Sequence, residues 1–210
     1  MTTSAPPQLI KAIEVVVDHF KSRVTNGRDR ANFDDTAARV ARYFTEAVWP
    51  ERDVWSMVAE LLTRTFPADS DEMVIITGIH TSSVCPHHLM PIHYEMDIAY
   101  VPMPGPANNV LGLSKIPRIA DALSHRAVLQ ETLASNIADV LFRSDPSAVP
   151  CSMISKGSAV CIRGYHTCMS ERGVKAHASR TIITAVRGIL RTNVATKNEF
   201  LAHIHHPNNH

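Results

Sequence analysis

Residues 72–101 read EMVIITGIHTSSVCPHHLMPIHYEMDIAYV, and the fold is decided where this stretch begins. From Glu72 the chain leaves helical periodicity. Met73–Thr77 and Ile98–Val101 are runs of β-branched and aromatic residues that predict strands. Between them, Cys85 and His88 stand three apart across Pro86, close enough for a tight turn to aim both side chains at one metal ion. Downstream, Pro102–Asn109 predicts an exposed loop rich in proline and asparagine. Apolar spacing then predicts helices over Lys115–Ser124 and Val128–Phe142, the second carrying Leu129, Leu133, Ile137, Val140 and Leu141. A loop around Asp145–Pro150 follows, then a strand over Ala159–Cys168 and a strand or helix over Thr181–Leu190. The order ββααββ suits an α+β domain with helices on one face of an antiparallel sheet.

Upstream the pattern is helical. Leu9, Ile10, Ile13, Val16, Val17, Phe20 and Val24 form one apolar stripe, opposite Lys11, Glu14, Asp18 and Lys21. Asp34 or Asp35 is expected to cap a second helix through Val40, Phe44 and Val48. A third follows Pro50 with Val54, Val58, Leu61, Leu62 and Phe66. At 210 residues the chain has room for one good-sized core and an appendage, so a helical region over 1–70 and a catalytic domain over 71–210 are expected.

Lys and Arg number 21 against 20 Asp and Glu, for a net charge of +1, which argues against bulk attraction to nucleic acid or to an anionic membrane. Any anion site must be local. Met1–Pro7 has no basic and apolar leader pattern, and no run approaches the roughly 20 apolar residues of a membrane span. A cytoplasmic protein is expected, so Cys85, Cys151, Cys161 and Cys168 read as thiols or metal ligands rather than disulfides. Cys151 and Cys161 are expected as small buried apolar residues.

Cys168 lies in Tyr165-His166-Thr167-Cys168-Met169. With Cys85 and His88 it makes three ligands, and an open fourth position is the signature of catalytic rather than structural zinc. On a strand, His166 and Cys168 would share a face, so His166 could stay free for proton transfer beside the metal, as could His87. A closed site with His87 or His166 as fourth ligand is the alternative. Gly112-Leu113-Ser114-Lys115-Ile116-Pro117-Arg118 opens a helix, with Ser114 expected as N-cap. Cations in a first turn oppose the helix dipole, so Lys115 and Arg118 point to a bound anion such as phosphate. Arg39, Arg42 and Arg172 could extend such a site to a triphosphate. Gln130-Glu131 opens the next helix, and a carboxylate there could accept from the N1–H and amino group of guanine.

The zinc pair, Gly112–Lys115 and His166-Thr167-Cys168-Met169-Ser170-Glu171-Arg172-Gly173 resemble, in order and spacing, the GTP cyclohydrolase I family. The likeness runs from about Thr36 through Ile98–Pro102 and Gln130-Glu131 to Glu199-Phe200-Leu201. It implies the tunnelling fold, with pentameric β-barrels stacked as a homodecamer and active sites between subunits. It also implies zinc on Cys85, His88 and Cys168, and His87 and His166 as catalytic histidines. Gln130 and Glu131 would read guanine, and Lys115, Arg118 and Arg172 would hold the triphosphate, with Arg39 and Arg42 as additions. The implied reaction opens GTP at C8, releases formate and closes to 7,8-dihydroneopterin triphosphate. Departures are Pro86 in place of the family's usual Glu, Ile92-His93-Tyr94-Glu95 after Pro91, and Val128 and Thr132 beside Gln130-Glu131. Pro86 and the altered segment after Pro91 motivate one alternative, a diverged purine-nucleotide hydrolase that stops at the formamidopyrimidine; a non-catalytic zinc-stabilised ring is a second alternative, of a different class.

Overall fold

A computed structural model describes residues 4–67, 72–103, 109–142 and 155–204. Part of the predicted loop after Pro102, the loop at Asp145–Pro150, and Cys151 lie outside the described residues. The chain forms two compact units, Met1–Trp49 and Pro50–His210.

In the first unit, α1 (Pro7–Lys21) packs against α3 (Thr36–Ala47), and the short α2 (Gly27–Ala31) lies between them in sequence. One partner helix covers a narrower arc than the apolar stripe of α1 spans. Leu9, Ile10, Ile13 and Val17 are therefore half-buried, whereas Val16 and Phe20 stay exposed. Asp35 takes the N-cap position of α3 but makes no capping bond, because its backbone is left-handed, with φ 60°. Asn26 does cap, accepting from the Arg28 amide at 2.9 Å.

The second unit opens with α4 (Glu51–Leu62), which buries Val54 and Val58 and packs on α5 (Lys115–Ser124). Phe66, expected on this helix, lies instead on β1 (Thr65–Pro67), since the following proline disfavours helical backbone at Phe66. The short β1 pairs with β4 (Asn109–Leu111). The main sheet holds β2 (Val74–Val84), β3 (Pro91–Pro102), β5 (Ser155–His166) and β6 (Thr181–Gly188), antiparallel in the order β2-β3-β5-β6. The strands β2 and β3 run well beyond the predicted cores, and β2 shifts register between Ile76 and Ile79, where Gly78 takes φ 67°.

On one face, α5 lies over β2, and α6 (Gln130–Leu141) lies over β5 and β6. Ile92, Tyr94, Met96, Ile98 and Tyr100 alternate along β3 and are buried. Thr81 and Ser83, which pair with Tyr94 and Ile92, bond to Ser124 and the Arg126 carbonyl at the end of α5. The helix α6 buries Leu133, Ile137, Val140 and Leu141, while Leu129 precedes it and is exposed. On the opposite face Ala99, Val101, Ala159 and Cys161 pack with Phe200 and Ile204 of α9 (Val194–Ile204) and with Leu190 of α8 (Ile189–Thr192). Cys161 is the small buried residue expected. Thus the ββααββ order holds as an α+β arrangement preceded by helices. Among the described residues no helix is long and apolar enough to cross a membrane.

Candidate metal centre and active site

Cys85 follows β2 directly and begins a tight turn. Its amide donates to the Met90 carbonyl at 2.9 Å, the Leu89 amide donates back to its carbonyl at 2.8 Å, and Leu89 takes φ 54° to close the loop. Pro86 stiffens this turn and has no amide hydrogen to divert. Cys168 arrives from a different element than expected. The strand β5 ends at His166, and Thr167–Ser170 forms a short helix, α7, so His166 and Cys168 do not share a strand face. The ladder ends because its last pair is Ile92 with His166, next to Pro91, which has no amide hydrogen to extend it. Thr167 Oγ1 instead donates to the Pro91 carbonyl at 2.6 Å, pinning α7 beside the Cys85 turn.

This brings the Sγ atoms of Cys85 and Cys168 to 3.8 Å and places Cys85 Sγ 3.6 Å from His88 Nδ1. All three ligand atoms lie within 4.8 Å of one another. Tetrahedral zinc, with bonds of about 2.3 Å to sulfur and about 2.0 Å to nitrogen, requires separations of about 3.8 Å between sulfurs and about 3.5 Å between sulfur and nitrogen. The donor set fits the ion in chemistry and spacing. Among the described residues this is the cluster of His, Cys, Asp and Glu able to hold a metal. Burial raises the pKa of the Cys168 thiol, and Cys85 beside it adds to the rise. Two adjacent thiolates therefore need a shared cation.

His88 is exposed, and Arg172 donates to its Nε2 at 2.6 Å. That bond puts the imidazole proton on Nδ1. Ligation through Nδ1 would move the proton to Nε2 and release Arg172. His87 is exposed on the same turn, its ring 6.2 Å from that of His88. His166 is half-buried, with Nε2 2.9 Å from Gln130 Oε1. Burial lowers its pKa, and the smaller opposing pull comes from Glu131. Tyr94, which the sequence did not single out, lies edge-on to His166 at 6.2 Å, and its buried hydroxyl has no hydrogen-bond partner among the described residues.

The residues expected to bind substrate divide. Glu131 is exposed in the first turn of α6, where a carboxylate also suits the helix dipole. Gln130 is buried and bonded within the chain. Lys115 and Arg118 stand at the start of α5 with no ion pair among the described residues. Ser114 occupies the N-cap position but makes no capping bond, because its own backbone is already helical, at φ −67° and ψ −10°. Arg39 and Arg42 lie on α3 of the first unit, where Arg39 donates to the Asp34 carbonyl at 2.7 Å.

The model of the GTP cyclohydrolase I family matches residues 13–205. GTP cyclohydrolase 1 of Carboxydothermus hydrogenoformans is 37% identical over 194 residues, which cover 92% of this chain and 94% of the relative. The protein of that name from Pelotomaculum thermopropionicum is 36% identical over 187 residues, covering 89% and 92%. That from Streptomyces coelicolor is 34% identical over 192 residues, covering 91% and 89%. With its three-ligand cluster and ββααββ sheet, this chain belongs to the GTP cyclohydrolase I family.

Proposed function

We propose that this protein is a zinc-dependent GTP cyclohydrolase I, converting GTP and water to 7,8-dihydroneopterin triphosphate and formate. The observation that carries the proposal is the cluster itself: two sulfurs at 3.8 Å and a nitrogen at 3.6 Å from one of them suit zinc, and among the described residues three ligands are supplied. Zinc held by Cys85, His88 and Cys168 would supply a Lewis acid that makes water a nucleophile near neutral pH.

The chain's own groups do the rest. His166, whose pKa burial lowers, exchanges a proton with the imidazole nitrogen of guanine as the ring opens at C8. His87, exposed beside His88, serves the later hydrolysis that releases formate. The Glu131 carboxylate is available to accept from N1–H and the amino group of the base. Lys115, Arg118 and Arg172 bind the triphosphate, with Arg39 and Arg42 as further cations. In this proposal residues 71–210 are the catalytic domain and 1–70 a helical extension. The subunits form a homodecamer of two stacked pentamers, with each site completed across an interface. A cytoplasmic location goes with a nucleoside triphosphate substrate.

The test is product identification. Zinc-loaded protein given GTP should release one formate per product, with the product identified by mass and by pterin fluorescence after oxidation. A formamidopyrimidine as end product would convert the proposal to an early-stopping hydrolase. No change in GTP would refute it.

A further inference from the structure

Gln130 is the first residue of α6, is 4% exposed, and has its carboxamide between β5 and β6. Its Nε2 donates to the Ile162 carbonyl at 2.9 Å and, less closely, to the Thr181 carbonyl at 3.4 Å. Carbonyls only accept, so these partners fix which end of the amide is nitrogen. The oxygen faces the other way. There Thr181 Oγ1 donates to it at 2.5 Å, and His166 Nε2 lies 2.9 Å away. An amide oxygen cannot donate, so the hydrogen in the His166 contact belongs to the imidazole. Both hydrogens and both lone pairs of the amide are then engaged within the chain, leaving none for a purine.

We propose that Gln130 is a positioning residue: it holds the His166 hydrogen on Nε2 and leaves Nδ1 as the nitrogen that exchanges a proton with the substrate. The hydrogen bond at one ring nitrogen sets the state of the other. The inference rests on the cyclohydrolase reading only in taking His166 as the proton-transfer group. Gly164 supplies an independent observation. It pairs with Thr181 across β5 and β6, and a Cβ there would lie 2.6 Å from Gln130 Oε1 and 2.7 Å from Thr181 Oγ1. The room for the network exists because that residue has no side chain. The edge-on Tyr94 ring, inclined 78° to the imidazole, bounds His166 from β3.

Neutron diffraction from deuterated, zinc-loaded crystals should show deuterium on His166 Nε2, and none there would overturn the proposal. In kinetics, Gln130→Met keeps the bulk without the acceptor. It should lower kcat about 10–100-fold, on the scale of losing a partner that orients a metal-ligating histidine, although His166 itself is not a ligand. KM for GTP and zinc content should not change. Thr181→Val removes only a second donor to the same oxygen and should cost less. A raised KM with kcat intact would overturn the proposal and return Gln130 to the base. Should Gln130→Met not fold, the neutron map of the wild type decides alone. A wild type that forms no formate from GTP would instead sink the cyclohydrolase reading, and the neutron map would still judge the Gln130–His166 bond.

Discussion

The metal cluster and the start of α5 are complete to different degrees. Cys85, His88 and Cys168 come from a strand-end turn and a short helix that one ladder and one Thr167 hydrogen bond lock together, so a single chain sets their spacing. Ser114, Lys115 and Arg118 are instead half-buried or exposed at a helix start, with no partner of opposite charge among the described residues. A metal needs ligand atoms at fixed distances, whereas an anion is held by charge acting over a longer range. The metal cluster is therefore complete within one chain, whereas the residues proposed to hold the substrate are gathered less tightly.

The largest effect should come from the tightly built side of this contrast. Cys168→Ser should abolish zinc binding and formate release together, as read by metal analysis and a coupled formate assay. Full zinc-dependent turnover in that variant would break the ligand assignment. Next, His166→Ser should keep zinc but slow turnover by ~10²–10⁴-fold, the usual worth of a general acid–base group. His87→Ser should likewise keep zinc, and in rapid-quench samples the formylated intermediate should build up before formate appears.

On the looser side, Glu131→Gln should leave zinc intact and erode discrimination between GTP and ATP, because an amide can present a donor where guanine also donates. Unchanged discrimination would show that the base is read elsewhere. The smallest effect should come from Lys115→Ala and Arg118→Ala, each weakening GTP about tenfold, the loss of one hydrogen bond to a charged group. Guanosine binding should be unaffected, and added salt should shrink the loss because both side chains reach solvent. Equal losses for nucleotide and nucleoside would remove the anion role from α5.

The same contrast explains what the sequence could reveal. Cys85 and His88 were legible because their spacing is local, and Cys168 was legible as a metal-type residue beside a histidine. The strand face assigned to His166 and Cys168 was wrong because the end of a strand depends on its neighbour, here Pro91, which is far away in sequence. Gln130 followed the same logic. Its neighbours Ile162, Thr181 and His166 are brought to it only by sheet pairing, so composition and spacing could not separate a buried positioning amide from the exposed carboxylate beside it. Ser114, and Asp34 or Asp35, mark the right helix starts, but capping depends on backbone angles at one residue, and Ser114 and Asp35, which take the N-cap positions, have the wrong ones. Phe66 was lost to a local signal that was present, the proline after it.

We assign the metal to Cys85, His88 and Cys168, with His87 and His166 outside its coordination. Zinc content per subunit in the double variant His87→Ser/His166→Ser tests this assignment most directly. We predict close to one zinc per subunit in a protein that releases no detectable formate from GTP; loss of the zinc would make one of these histidines a fourth ligand and close the site.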